Sequence, residues 1–538
     1  MAKKINLLNS LFWGILALAI FTRAFLLGEL PDGMYPDETY AAYNSYGMMT
    51  EGIDSWGYRF PVYFVAWGSG MSVLYSYIAI PFLKIFGMTL FAMRLPQVIF
   101  SVLAVIASYF FGKEVTNKKI GLLFAFFLAV NPWHIMNARF ALDANMAPNM
   151  FMIAVMFIVL AIKNKTKYRY HILAVIFTGL TLYCYAMTWM MIPAFLICLL
   201  YYKNDLPKLK VLIVLVILLF ILALPLLLFL LVNLGFIEEI KTNFISIPKL
   251  LEMRESEIHA SNIIASLKKI ITITIMQEDG ATHTYSTLVG AFYTVTAPFI
   301  YIGLFLHAIE FIKSMIDKIK GIGHRKQEGK VVKTDENMMC SESFNYSYIM
   351  LFWLATSGIV AVLNQSITII HINMLHIPLI FYSMYGLYKI YKIFQNKIMI
   401  YLSIAMLSIS FILFFVDYIK SEDPHFVGEE AYEVIAVAKD LRDGNEKIKI
   451  VDYATIKYSN LLWMELPKVS TYVEDVEYTG KLAWQEVKIF HEFEYLENWE
   501  ALNEEGVYVL NHKDMEHFMQ HQFTVKVVND LYAVAYKE

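Results

Sequence analysis

The chain has 538 residues, 58% of them hydrophobic and 15% aromatic against 17% charged, with a mean hydropathy of +0.52. An apolar share so far above that of a soluble domain marks a polytopic membrane protein. The formal net charge of −3 offers no basic field, so nucleic acid is excluded as a partner and any electrostatic message lies in how the charges are distributed.

In chain order, Lys3 and Lys4 precede LLNSLFWGILALAIFTRAFLL, whose long apolar part lacks a small-x-small cleavage site and reads as an uncleaved anchor. Runs long enough to cross the hydrocarbon as helix fall near 8–27, 91–112, 119–135, 146–162, 170–186, 188–202, 210–232, 289–312, 346–363, 371–388 and 398–418, about eleven in all. With the N-terminus inside, the Lys-rich segments around Lys113 to Lys119, Lys163 to Arg169, Lys203 to Lys210, Lys313 to Lys333 and Lys389 to Lys397 all fall on the cytoplasmic face. The outer face then receives loops at 28–90, 132–145, 233–288 and 364–370, and the tail.

The first outer loop carries Asp32, Asp37, Glu38, Glu51 and Asp54 against Arg59 and Lys84, and its GMSVLYSYIAIPFLKIFG stretch predicts an interfacial helix. The loop at 233–288 is expected to hold similar helices. After residue 420 the composition turns soluble. EEAYEVIAVAKDL has helical spacing, KIKIVDY and GVYVLNH read as strands, and FTVKVVNDLYAVAYK reads as a hairpin, which predicts a small α/β domain over 421–538 behind a membrane domain over 1–420.

No GxxxxGK[ST], GxGxxG after a strand, HExxH, GxSxG or CxxC occurs. An enzyme on the outer face cannot count on ATP or nucleotide sugars, so an energy-rich substrate must arrive through the lipid, which a polyprenyl-phosphate sugar does. In PDET, Asp37 and Glu38 have two readings. An acid there caps a helix and favours its dipole; at a membrane-edge cavity, a partly desolvated carboxylate is a base toward a hydroxyl while its neighbour orients the acceptor.

In NPWHIMNARFALDANMAPNM, Arg139 and Asp143 stand four apart, the spacing of a structural ion pair. The functional alternative has Arg139 holding a phosphate through paired N–H donors, Asp143 contacting sugar or acceptor, and His134 as a further donor. Trp67 and Tyr35 are substrate-binding candidates, although such aromatics usually anchor at the interface. Arg94 marks a helix start. Asp279 and His283 in QEDGATHTYSTLVG, and His371 and Asn373 in HINMLHIPLI, are loop or helix-entry residues in reach of a phosphate or sugar.

Over residues 10–200 the DE after the first helix, the interfacial helix ending in KIFG, RLP opening the next membrane helix, and R-x3-D together resemble the GT-C glycosyltransferases, especially the protein O-mannosyltransferases and the lipid A aminoarabinose transferases. The resemblance implies a metal-independent or weakly metal-dependent inverting transfer, with no nucleotide cofactor and a divalent metal left open. It places catalysis on Asp37, Glu38 and Asp143 and donor binding on Arg139. The chain has AWGSGMS where the aminoarabinose transferases carry Lys-Pro-Pro, and it lacks the WWDYG of oligosaccharyltransferases.

The expectation is therefore a multi-pass cell-membrane protein with a GT-C-like domain of about eleven helices and an extracytoplasmic α/β tail. It would move a sugar from a polyprenyl phosphate to a hydroxyl of a protein, lipid or envelope glycan. A transporter or lipid flippase is the alternative; it predicts ionisable residues in mid-membrane and repeated halves. A non-catalytic scaffold is a third reading, and it leaves the DE and R-x3-D placement without a purpose.

Overall fold

The computed structural model describes residues 2–67, 70–251, 263–280, 284–320, 345–363, 367–420, 427–444, 446–451, 456–479, 486–496 and 506–537. Helix α1 (Ala2–Ala24) leads into a loop that holds α2 (Pro36–Thr50) and α3 (Leu74–Phe86). The chain continues through α4 (Leu90–Val115), α5 (Lys118–Ala129), the short α6 (Pro132–Asn137), α7 (Asp143–Lys163), α8 (Tyr168–Leu182), α9 (Thr188–Cys198) and α10 (Leu209–Asn233). After strands β1 (Ile240–Lys241) and β2 (Ser246–Ile247) come α11 (Ile263–Met276), α12 (Ala297–Ile319), α13 (Tyr348–Val362), α14 (His376–Phe394) and α15 (Lys397–Lys420).

Each of the eleven apolar runs thus carries a helix, and six of them, α1, α4, α7, α10, α12 and α15, have the length and apolarity to cross a membrane. The ends differ from the hydropathy runs where local chemistry intervenes. The run at 119–135 breaks because Pro132 disfavours helix at Asn131, whose side chain instead caps α6 by accepting from the His134 N–H at 3.0 Å. The run at 289–312 enters its helix only at Ala297, with Pro298 in the first turn.

Burial sorts the helices. The apolar window of α7 is 89% buried and that of α10 only 11%, so α7 is the bundle's centre and α10 faces lipid. Close helix contact depends on small residues, since apolar side chains gain nothing by leaving lipid for one another. At Gly303 an added Cβ would stand 2.5 Å from the Tyr382 carbonyl oxygen, which holds α12 against α14.

The tail builds α16 (Glu429–Leu441), β3 (Ile448–Ile450), α17 (Tyr458–Glu465), α18 (Val469–Asp475), β4 (Glu477–Tyr478), β5 (Val487–Phe490), β6 (Phe493–Tyr495), β7 (Val507–Asn511), α19 (Met515–Gln520), β8 (Thr524–Val527) and β9 (Tyr532–Tyr536). The strands form one sheet in the order β4-β5-β6-β3-β7-β9-β8, parallel at the centre around β3 and antiparallel toward both edges. Central β3 is buried along its whole length, as a strand covered on both faces must be. The hairpin expected near the end is β8 and β9, with Asn529 Oδ1 accepting from the Leu531 and Tyr532 N–H groups to close its turn.

This sheet unit docks on the first loop. The Thr39 hydroxyl lies 2.9 Å from that of Ser459, Tyr43 donates to the Pro467 carbonyl at 3.0 Å, and the Trp56 and Tyr478 rings stack at 4.9 Å. Met34 and Val427 exchange two backbone hydrogen bonds of 3.2 Å. The Glu51 carboxylate caps α18 from across the contact, accepting from the N–H groups of Val469 at 2.6 Å and Ser470 at 3.1 Å. Burial raises the Glu51 carboxyl, but the hydrogen bonds from Ser470 and Val469 outweigh it and hold the group below its usual value. That contribution is present above the ordinary glutamate range and lost as pH falls through the lowered value. Glu51→Ala should speed hydrogen exchange at the Val469 and Ser470 amides about tenfold, the scale of one hydrogen bond to a charged group. Unchanged exchange would mean the contact holds without this cap.

Candidate active site

The site grows from the N-terminus of α2. Tyr35 is its N-cap residue and Pro36 opens the first turn, which places Asp37 and Glu38 at the second and third helical positions. Glu38 Oε2 accepts from the Tyr35 N–H at 3.1 Å, the glutamate half of a capping box. Its two oxygens also take the Arg94 Nε and Nη2 donors, both at 3.1 Å, and Oε1 accepts from the Ala141 N–H at 2.5 Å. Arg94 in turn donates to the carbonyls of Pro31 at 2.8 Å and Gly33 at 2.7 Å. Both side chains are wholly buried. Glu38, read from sequence as facing the acceptor, faces Arg94 instead.

Asp37, the neighbouring carboxylate, is half-buried and points elsewhere: its Oδ1 accepts from Trp67 Nε1 at 3.0 Å. Trp67 has a left-handed backbone, φ +55°, and its ring packs 5.9 Å from Tyr40 and 5.2 Å from Tyr458 of α17. It lies beneath the sheet unit rather than at a lipid interface. Asp143 opens α7, with Oδ2 accepting from the Ser72 N–H at 2.9 Å and Oδ1 from the Ala144 N–H at 2.7 Å. Two backbone hydrogen bonds pair Phe64 with Met71, and the loop they close carries Trp67 and leads into Ser72, the two residues that hold the two aspartates.

Asn373 approaches Asp143 from the short helical turn Asn373–Leu375 just before α14, where its Nδ2 donates to the Ala144 carbonyl at 2.5 Å while its buried Oδ1 has no partner. Tyr35 packs on Phe140 and Leu142, next to Asp143 in the chain. Asp279 and His371 lie together at another segment: Asp279 accepts from the Ile369 N–H at 2.6 Å and from Thr284 at 3.1 Å, and His371 Nδ1 is 2.9 Å from the Thr368 hydroxyl. His283 lies outside the described residues.

Arg139 does not pair with Asp143. It is 1% exposed and donates to the carbonyls of Thr22 at 3.1 Å, Arg23 at 3.2 Å, Phe25 at 2.7 Å, Leu26 at 3.2 Å and Leu30 at 3.0 Å, binding up the unpaired outer end of α1. His134 is equally buried. Arg23 Nη2 donates to its Nδ1 at 2.7 Å, so Nδ1 is the acceptor and Nε2–H donates to Asn149 Oδ1 at 2.8 Å, which makes it a neutral histidine of fixed tautomer. Sequence reasoning missed Arg23, although an arginine inside the first apolar run is the kind of residue that demands a partner.

Asp54 was also missed as a buried group. Its Oδ1 accepts from the N–H groups of Trp56 at 2.9 Å and Tyr58 at 2.8 Å, while Oδ2 has no partner. Burial pushes its carboxyl up to about 7 against the pull of those backbone bonds.

Among the described residues no three His, Cys, Asp or Glu side chains converge as metal ligands. Residues 71–229 match the family model described as dolichyl-phosphate-mannose-protein mannosyltransferase. The structure of ArnT from Cupriavidus metallidurans bound to undecaprenyl phosphate aligns with 99% of this chain and 98% of its own, at TM-score 0.56 and 10% identity. The chain has the GT-C glycosyltransferase fold. A second GT-C structure, the archaeal oligosaccharyltransferase AglB from Archaeoglobus fulgidus in complex with an inhibitory peptide and a dolichol-phosphate, aligns with 87% of this chain at TM-score 0.51 and 13% identity. The chain spans 64% of the length of that protein. No curated protein matches the sequence.

Two outcomes follow from this geometry. Glu38→Gln leaves the buried Arg94 charge without its counter-ion and should cost about 3–5 kcal/mol, visible as lost folded yield, whereas Glu38→Leu with Arg94→Met should recover part of it. Equal yields for Glu38→Gln and the parent would remove the pair's structural role. For Asp54, a folded value of about 7 against an unfolded one of about 3.9 means that the folded state keeps a proton the unfolded chain has lost. Stability should fall as pH rises from about 4 to 7. Asp54→Asn keeps the acceptor for Trp56 and Tyr58 and should flatten that slope in melting curves.

Proposed function

We propose that this protein transfers a sugar from a polyprenyl-phosphate carrier to an acceptor hydroxyl, with inversion at the anomeric carbon. The observation that carries the reading is the placement of Asp37 and Asp143 where α2 and α7 begin, held by Trp67 and Ser72 of one loop, in a fold whose solved members include one bound to undecaprenyl phosphate and one in complex with a dolichol-phosphate. The match over residues 71–229 to a mannosyltransferase family model supports transfer over transport or lipid flipping. Mannose is a candidate sugar, and the acceptor is a protein, lipid or envelope glycan.

In this mechanism the acceptor oxygen attacks the anomeric carbon, the bond from that carbon to the phosphate oxygen breaks, and the phosphate leaves with the electron pair. Asp37 takes the acceptor proton as the new glycosidic bond forms. Asp143 and Asn373 orient the sugar. Glu38 holds α2 in place through Arg94, and Arg139 serves as a fixed positive charge on the phosphate's side of the site. The Lys-rich ends of the helices, where Lys163 pairs with Glu114 and Lys165 with Asp205, lie on the cytoplasmic side. Asp37 and the unit over 421–538 then face the exterior, and residues 1–420 form the membrane transferase domain.

The test is transfer from polyprenyl-phosphate mannose, followed by mass spectrometry in nanodiscs. Asp37→Asn should bind the donor normally and turn over roughly 10²-fold more slowly, the scale of a lost general base. Asp143→Asn should raise KM more than it lowers kcat. Parental turnover by Asp37→Asn across pH 5 to 8 would move the base to another residue.

A further inference from the structure

Helix α10 has two sides. Leu226, Phe229 and Val232 are buried against the bundle, whereas Leu224, Leu227, Leu231 and Leu234 are exposed and form a stripe on the side that faces lipid. The stripe does not stop with the helix. Gly235, at φ +78°, ends α10 in a Schellman turn, in which the Phe236 N–H donates to the Leu231 carbonyl at 2.9 Å and the Gly235 N–H to the Val232 carbonyl at 3.1 Å. That turn brings residue 236 back toward residue 231 on the lipid side, and Phe236 is 74% exposed.

The chain then forms the hairpin of β1 and β2, with Ile240 opposite Ile247. Its turn is held by Thr242 Oγ1, which accepts from the N–H groups of Phe244 at 3.3 Å and Ile245 at 3.0 Å, and it carries Phe244, 86% exposed. A turn in water favours Gly, Asn, Asp or Ser, and a phenylalanine so exposed there is unfavourable unless it leaves water. The charges of the hairpin are taken up by the first loop instead: Glu239 accepts from the Tyr58 hydroxyl at 2.8 Å and pairs with Lys241 at 2.9 Å, and Lys241 lies over the Tyr58 ring at 4.8 Å. The base of the hairpin is tied to α10, since Asn233 donates to the Pro248 carbonyl at 3.1 Å, accepts from the Leu250 N–H at 2.7 Å, and Ile247 packs with Phe229 and Val232. The apolar patch is therefore a rigid continuation of a lipid-facing helix, and a patch of that kind marks a membrane contact.

We propose that this hairpin is a membrane anchor: Phe236, Phe244 and Ile245 enter the boundary between head groups and acyl chains in the leaflet at which α10 ends. The occupant of the patch is phospholipid, because the patch continues the stripe that already faces it. The anchor bears on the rest of the molecule through one strand, since the Val62 N–H donates to the Ser246 carbonyl at 3.0 Å and Val62 leads directly into the Phe64–Met71 pair that closes the loop carrying Trp67. The hairpin thus sets the depth at which that loop holds Asp37. Lipid contact itself does not depend on the transfer reaction; only the effect on turnover rests on that reading.

The full chain, with Cys198→Ala and Cys340→Ser and with Cys184 buried, takes a polarity-sensitive fluorophore at Phe236→Cys or Phe244→Cys and is placed in phosphatidylcholine nanodiscs. Ile221→Cys on exposed α10 serves as the lipid reference and Lys526→Cys on exposed β8 as the water reference. Labels at 236 and 244 should lose most of their emission to lipids carrying a doxyl group near the head group and almost none to aqueous iodide, as the label at 221 does. Iodide quenching at either position as strong as at 526 would overturn the anchor. For the depth role, Phe236→Ser with Phe244→Ser should slow transfer in nanodiscs by roughly a factor of ten or more, since small misplacements of a site are costly, and should leave transfer in detergent micelles, which have no fixed leaflet plane, near the parental rate. Equal slowing in both media would overturn the depth role. The quenching contrast is read without substrate and without the serine variant, so it decides the anchor even if that variant folds poorly or the parent transfers no sugar.

Discussion

The placement of the site depends on one buried ion pair. Glu38 and Arg94 are both fully removed from solvent, and such a pair persists only when its remaining hydrogen-bonding capacity is met. Here it is met from four directions: Tyr35, Ala141, Pro31 and Gly33 each contribute a backbone group. The pair therefore joins the turn before α2, the start of α2, the start of α4 and the segment before α7 in a single contact. Because Asp37 adjoins Glu38 and Asp143 lies two residues beyond Ala141, their separation is set by an interaction that neither of them makes.

The sheet unit adds a second constraint on the same helix. α2 is short and its outer surface is polar and aromatic, so it is covered from above by α17, through Thr39 and Ser459, Tyr43 and Pro467, and Trp67 and Tyr458. These partners are more than 390 residues apart in the chain, and closing such a loop is entropically unfavourable but grows only slowly with length. Many small polar contacts, each worth about 1 kcal/mol, suffice to hold the unit. The face of α2 that carries Asp37 is thus fixed from below by a charge pair and from above by the sheet unit.

What could be read in advance follows from range. Hydropathy is local, so the helix in each of the eleven apolar runs was legible, and so were the terminal hairpin and the helix over EEAYEVIAVAKDL. The helix ends were less so, because Asn131 and Pro132 redirect the chain inside an apolar run. The charged residues were legible as a set but not in their roles. R-x3-D suggested a pair, yet Arg139 turns back to five carbonyls around the end of α1, a demand created by a helix terminus more than a hundred residues earlier. His134 looked like a donor to substrate on the outer face, and only the approach of Arg23 and Asn149 shows it to be a neutral link inside the bundle. Arg94 was read as a helix start because its partner lies 56 residues away.

Two adjacent carboxylates at the start of a helix cannot do the same work. Successive side chains on an α-helix diverge by about 100°, so Asp37 and Glu38 necessarily point into different surroundings. At the membrane edge those surroundings differ in kind. The direction taken by Glu38 leads into the protein, where an unpaired charge would be intolerable, and Arg94 must meet it. The direction taken by Asp37 leads to a half-buried space bounded by Trp67, on the loop whose Ser72 holds the second aspartate. One carboxylate is thereby committed to holding the helix, and the other stays half-buried beside Trp67, where the proposed transfer needs it. The Asp-Glu order matters for the same reason: the glutamate occupies the third helical position, from which its longer side chain can reach back to the Tyr35 N–H, while the shorter aspartate stays at the mouth of the site. Exchanging the two residues would preserve the composition and net charge of the loop, and would place the short carboxylate opposite Arg94 and the long one against Trp67. The aspartate would then fall short of Arg94 and the glutamate would overreach Trp67.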